Sequence, residues 1–356
     1  MTSDEAIAAA AIVEPTAPET NPMDIHRHAR PNRRQALIQG AALLAATLGA
    51  APRMARAQAW PTKPIRVLVP FPTSSPPDIS SRLVAGHLST ALGQTVFVEN
   101  KPGAIGLIAM KELLRQPADG YTLLCMVMPL VTTHALLPAQ AIDLQKELAP
   151  IVRIDTAPSV LVVPNDLPAN SAPELVALMK AKPNGFSFGS GGNGTPAHLA
   201  AELFMLEQKV KATHVPYAQF AQVVPDLISG RLQFMFLTAS VATPLVTSGK
   251  VKALGVAGAR RLAALPNVPT LSEQGLGDFD TSNWTGFAAR AGTPPEIIAR
   301  LNKEVVALLA RPEVIKQLEE NGATPAPSTP EQFAQHIARE GKRWTEVIRQ
   351  AGIVGQ

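Results

Sequence analysis

Apolar residues recur along this chain at two spacings, and the switches between them predict its elements. Ile65 to Val69 is a short apolar run of strand length. Ile79, Leu83, Val84, Leu88 and Leu92 then repeat at helical spacing, and Gly93 ends the helix. Residues 95–99 read as a second strand, 105–115 as a second helix, and 121–126 as a third strand behind the Asp119-Gly120 turn. This β-α-β-α-β order predicts a parallel sheet.

The scheme repeats downstream. Strands are expected at 160–163, 186–188, 213–215, 232–236 and 251–256. Helices are expected at 196–208 and 223–229, and before them up to Ala181, where Ser171 and Glu174 have the spacing of a capping box. Two helices, 294–309 and 330–351, end the pattern. The reading is two α/β lobes, residues 60–154 plus 284–356 and residues 155–283. The chain crosses near 153–157 and returns near 279–287.

Length and composition narrow the classes. The 356 residues suffice for about two domains. One cysteine, Cys125, excludes a disulfide framework and a cysteine-based zinc site. The seven histidines form no H-E-x-x-H pair. Aromatics at 4% are too few for a nucleic-acid stacking platform. The net charge is +4, but six of the 32 basic and five of the 28 acidic side chains precede Trp60. The rest is close to neutral, which is no nucleic-acid footprint.

Residues 1–59 read as an export signal. Arg33-Arg34 stands before an uncharged apolar run from Ala36 to Ala51, and small-x-small cleavage sites follow at 55–57 and 57–59. The arginine pair hints at twin-arginine export. Met23 would give a start of ordinary proportions. An uncleaved N-terminal anchor is the alternative, opposed by the short Ala- and Gly-rich run. A soluble, exported protein is expected, and a monomer.

Two loops carry candidate chemistry. Gly189-Ser190-Gly191-Gly192-Asn193-Gly194 matches G-x-G-x-x-G between a strand and a helix. A dinucleotide site also needs an acid about twenty residues on. His214-Val215-Pro216-Tyr217 stands there instead, so a general anion cradle at the helix start is the better reading. Thr195 is a good N-cap and Pro196 a good first helical residue. His198 either faces a cleft or caps the loop. Gly185-Phe186-Ser187-Phe188-Gly189 matches the G-x-S-x-G elbow, but Ser187 lies within a strand, which disfavours a secreted hydrolase. The second loop runs from Pro70 to Asp78, with Ser75 and Asp78 in S-x-x-D spacing. Two helix starts facing each other across a hinge would clamp a small anion.

Several segments resemble the Bug family, the substrate-binding proteins of tripartite tricarboxylate transporters. They are Trp60-Pro61-Thr62-Lys63-Pro64-Ile65-Arg66, residues 96–103 (V-F-V-E-N-K-P-G), residues 119–124 (D-G-Y-T-L-L), Gly192-Asn193-Gly194-Thr195 with His198-Leu199, His214-Val215-Pro216-Tyr217, residues 265–270 (L-P-N-V-P-T) and Ala291-Gly292-Thr293-Pro294. The resemblance runs from Trp60 to about Ile353. It implies a type II periplasmic binding-protein fold, a small carboxylate held by two loops, membrane permease subunits as partners, no cofactor and no catalysis. A periplasmic component presenting its ligand to a sensor is the alternative of the same fold. The implied ligand-binding residues are Phe71, Thr73, Ser74, Ser75, Asp78, Ser190, Gly192, Asn193, Gly194, Thr195, His198, Tyr217 and Gln219.

The chain departs from the family at these loops. Thr73-Ser74-Ser75 replace P-G-G, and Ile105 stands for the first glycine of G-G-N. Ala218-Gln219 replace K-G, Gln233 replaces an acid, and the stretch 126–138 is longer. The identity of the ligand therefore does not carry over.

Overall fold

The computed structural model describes residues 60–217 and 220–354. The expected export signal, with Arg33-Arg34 and Met23, lies outside them, as do Ala218 and Gln219.

The first half of the pattern folds as expected. Strand β1 (Ile65–Val69) leads into helix α1 (Pro76–Leu92), which Gly93 ends in a left-handed turn at φ +66°. Strand β2 (Val96–Asn100) is followed by a 3-10 turn at Ala104–Gly106 and helix α2 (Leu107–Leu114). Strand β3 (Thr122–Val127) is wholly buried, and helix α3 (Met128–Leu136) starts directly from it. A short helix α4 (Leu144–Glu147) precedes strand β4 (Leu148–Ala157).

Only Pro158 separates β4 from strand β5 (Ser159–Val163), so the chain passes from one sheet to the next within a single residue. Helix α5 (Ala172–Ala181), strand β6 (Ser187–Ser190), helix α6 (Pro196–Gln208) and strand β7 (Thr213–Pro216) follow. Then come helix α7 (Phe220–Ile228), strand β8 (Met235–Thr238), helix α8 (Ala239–Thr247) and strand β9 (Lys252–Ala257). The return is strand β10 (Asn283–Arg290), then helices α9 (Pro295–Leu309) and α10 (Pro312–Glu320), strand β11 (Thr324–Pro325) and helix α11 (Pro330–Ala351).

The first sheet has the order β11-β4-β10-β3-β1-β2. It is mixed rather than parallel: β1 runs parallel to β2 and β3, but β10 is antiparallel to both neighbours. The second lobe holds the antiparallel sheet β8-β5-β9 and the parallel pair β6-β7, joined by a single bridge between Phe188 and Phe234. The result is a two-lobed α/β fold with two chain crossings.

One apolar core runs from the first sheet (Val67, Leu124, Val152) into the second lobe (Phe188, Phe204, Phe236). A smaller core around Val160, Val162 and Leu237 backs the second sheet. Helix α11 buries Phe333, Ile337, Trp344 and Ile348 along one stripe. Each such side chain contributes about 1.5–3 kcal/mol.

The caps differ in part from expectation. Ser171 accepts from the Glu174 N–H, but the Glu174 carboxylate reaches Asn170 rather than closing a box. The reciprocal box forms at Thr329 and Gln332 instead.

Candidate functional site

Helices α1, α3, α6 and α8 all begin at one cavity of about 240 Å³. They follow β1, β3, β6 and β8, so the cavity lies beyond the carboxyl ends of those strands, where α/β folds bind ligands. Both lobes contribute walls, with Phe71, Pro129 and Phe236 making much of the lining apolar. Among the described residues that line it, Asp155 is the only ionisable one.

A helix start carries partial positive charge and free main-chain N–H groups. In α6 the first helical residue is Pro196, which has no N–H, so Ala197 and His198 offer the free donors. Helix α1 is poorer, because its first two positions are Pro76 and Pro77. The symmetrical pair of donor-bearing helix starts expected from the sequence is therefore lopsided, with the proline-capped side lacking two donors.

The floor is made by β4 and β10. Asp155 pairs with Thr285, and Ala157 pairs with Asn283. Alternation along a strand puts Asp155, Asn283 and Thr285 on one face. Trp284 turns to the other, against Phe333 and His336 at ring separations of 5.6 and 5.0 Å. Asp155 is 2% exposed, and burial pushes its pKa up to about 6 against the pull of the Ser80 and Thr285 hydroxyls and the Arg153 charge. Its Oδ2 and the Nδ2 of Asn283 are buried without a hydrogen-bond partner.

The first loop is ordered from within. Asp78 is buried and accepts from the Ser74 N–H (2.9 Å), Asn100 Nδ2 (2.7 Å) and Arg82 Nε (3.0 and 3.1 Å). Burial opposes its charge, but the bonds from Arg82, Asn100 and Ser74 outweigh it and hold the carboxyl below its ordinary value. Ser75 is the N-cap by backbone, yet its hydroxyl donates to Pro72 O at 2.7 Å and caps nothing. Ser74 has φ +66° and Ile105 φ +56°, so two positions where the family resemblance expects glycine are left-handed here.

The glycine loop rests on a stack of two histidines. The His198 and His214 rings lie 3.8 Å apart and nearly parallel, with Phe188 beneath His214 at 4.9 Å. His198 Nδ1 accepts from the Gly194 N–H at 3.0 Å, so it is the loop's internal cap. The Ser190 hydroxyl meets His214 Nε2 at 2.6 Å and accepts from the Gly192 N–H. Burial, with the nearby His198, pushes the His214 pKa down to about 4, so that ring is neutral at pH 7. The Thr195 hydroxyl donates to Gly192 O at 2.8 Å.

Residues 80–353 match the family model described as tripartite tricarboxylate transporter family receptor. The chain belongs to this family. Among similar receptors of the family, a UPF0065 protein of the tcbD-tcbE intergenic region of Pseudomonas sp. (strain P51) is 34% identical over 88% of this chain and 94% of its own. Protein BugT of Bordetella pertussis is 34% identical over 83% of this chain and 91% of its own. Two similar solved structures are those of R. palustris Rpa4515 with adipate and MatC from Rhodopseudomonas palustris with bound malate. The first has a TM-score of 0.74 and 31% identity, covering 83% of this chain and all of that one. The second has a TM-score of 0.69 and 29% identity, covering 81% and all.

For this receptor, Phe71 and Thr195 line the cavity directly. Thr73, Ser74, Ser75 and Asp78 form the ordered loop beside Phe71, and Ser190, Gly192, Asn193, Gly194 and His198 form the loop beside Thr195. The Tyr217 hydroxyl is turned away, donating to Asp226 at 2.7 Å, and burial with that carboxylate pushes its pKa up to about 12. Gln233 is not at the cleft: its side chain ties the Ser187 N–H to Gly230 O. Ser187 starts β6 and does not sit on a strand-to-helix turn, so the elbow geometry is absent. Asp155 and Asn283 escaped the sequence reading. An acid between the apolar pairs Ile151-Val152 and Val160-Leu161 was the available signal.

A larger crevice of about 490 Å³ opens between residues 259–264 and 319–324. Among the described residues, none of the buried unpartnered side-chain atoms lines it, so it is the weaker candidate.

Proposed function

We propose that this chain captures a small carboxylate in the interlobe cleft and presents it, in the periplasm, to membrane permease subunits of a tripartite tricarboxylate-type transporter. The observation that carries this reading is the convergence of four helix starts on one cavity whose described lining has no lysine or arginine. Main-chain dipoles hold an anion without an ion pair. Membership of the receptor family, and the adipate and malate in two similar receptors, support it.

On this reading the lobes meet at Pro158 and in the segment between β9 and β10, so that residues 155–157 and Asn283, assigned to the second lobe by the bounds 60–154 plus 284–356 and 155–283, go with the first sheet. The protein works as a monomer and turns nothing over. Its route out of the cytoplasm is the signal in residues 1–59. The described residues contain no helix long and apolar enough to cross a membrane.

A thermal-shift screen over mono-, di- and tricarboxylates tests the reading. A ligand at 100 times its dissociation constant adds about 2.7 kcal/mol. No shift with any carboxylate would refute it. Small-angle scattering should show a smaller radius of gyration with ligand, and cell fractionation should place the protein in the periplasm.

A further inference from the structure

The cleft floor holds an acceptor and a donor that the protein leaves unpaired. Asp155 Oδ2 and Asn283 Nδ2 are both buried and both without a partner, although they stand on adjacent strands facing one cavity. The register makes them diagonal neighbours, with Cα atoms about 7–8 Å apart. They do not bond to each other. A buried polar atom left unpaired is costly, and two of opposite sense in one cavity describe the group that would pair them.

We infer that Asp155 and Asn283 read an alcohol, and that the ligand is a small carboxylate carrying a hydroxyl at the end away from its charge. This rests on the reading that the cleft holds a carboxylate, whose charged end belongs at the helix starts. The alternatives at the floor each fail on one side. A second carboxylate accepts from Asn283 but meets the negative charge of Asp155. An ammonium donates to Asp155 but has nothing for the Asn283 N–H. A methyl pairs neither. A hydroxyl donates once and accepts twice, so it satisfies both at once. The hydroxyl-bearing Ser159, Thr238 and Ser240 also line the cavity and suit an alcohol's surroundings.

The test is titration calorimetry at pH 7.5 with two matched sets. One is 4-hydroxybutyrate, 4-aminobutyrate, succinate and butyrate. The other is 6-hydroxyhexanoate, 6-aminohexanoate, adipate and hexanoate. In the set whose length fits, the hydroxy acid should bind roughly tenfold tighter than its three partners, the size of one well-made buried hydrogen bond. Asp155→Asn should narrow that gap by strengthening the dicarboxylate, since the like charge is gone. Asn283→Leu should weaken the hydroxy acid roughly tenfold and shrink its lead over the monocarboxylate. Circular dichroism checks both variants, and the wild-type ranking decides alone if either fails to fold. If carboxylates bind but a dicarboxylate, amine or plain acid equals the hydroxy acid in the fitting set, the inference is wrong and the carboxylate reading stands. If no member of either set binds, the inference falls, and the carboxylate reading is decided by the wider thermal-shift screen.

Discussion

Asp155 should weaken the fold as the pH rises from about 4 to about 7. Its carboxyl has an ordinary value of 3.8 and is pushed up to about 6 by burial. The folded chain therefore holds this proton more tightly than the unfolded chain. Its favourable share of stability is complete below the unfolded value and is lost as the pH rises through about 6. The gap between the two values corresponds to about 3 kcal/mol, of which roughly 2 kcal/mol falls between pH 4.5 and 7.5. Asp155→Asn has the same shape and no titration, so it should lack this slope. Its new amide N–H group shifts the variant by a constant but not by a pH-dependent amount. Urea unfolding of both proteins at the two pH values gives the double difference, in which the remaining carboxylates cancel. Wild type minus variant should fall by about 2 kcal/mol, or roughly 3 °C in midpoint for a domain of this size. A double difference within about 0.5 kcal/mol of zero would show that Asp155 titrates as if in water, which would refute the raised value and leave the floor charged at pH 7.5.

Three further substitutions test the loops. Ser74→Gly should stabilise by about 0.5–1 kcal/mol, because relief of a left-handed serine outweighs the added freedom of glycine; a loss in chemical denaturation would count against the φ of +66°. Gly194→Ala should lower ligand affinity, since φ is +74° and the new Cβ would meet Leu136 Cδ1; unchanged calorimetric affinity would show that this loop is not at the ligand. Asp78→Asn should cost about 1–3 kcal/mol at pH 7. That cost should vanish as the pH falls through the lowered pKa of Asp78, because the stabilising share of a depressed carboxyl is present above its unfolded value and lost below the folded one. A cost constant down to about pH 2 would refute it.

The helices were legible because their signals are local. Pro196 to Gln208 and Pro330 to Ala351 have the bounds their capping residues and periodicity indicate. The strands that make the site were not. Strand β4 carries Pro150 and the polar Arg153 and Asp155 among its apolar residues, and β10 joins Asn283, Thr285 and Gly286 to a run of small side chains. Both read as lobe crossings, and the antiparallel pairing that makes them a floor depends on partners more than a hundred residues away. Helix α3 begins at Met128 without a polar cap, so nothing announced it. The loops show the same divide. The spacing of Ser75 and Asp78 located a helix start, but which atom each side chain bonds depends on Asn100 and Arg82. The histidine stack joins residues 198 and 214 across two elements, and no spacing rule predicts it.

The lack of any lysine or arginine among the described cavity residues has a consequence for the medium in which the protein works. Fixed charges draw oppositely charged solutes from a distance, and dissolved ions damp that pull within about 10 Å at 0.1 M. A cleft that relies on main-chain dipoles has little long-range pull to lose. With no fixed cation in its lining to be screened, its capture rate should depend only weakly on salt. Departure likewise breaks no ion pair. Residence time then follows the opening of the lobes, and ionic strength barely enters it.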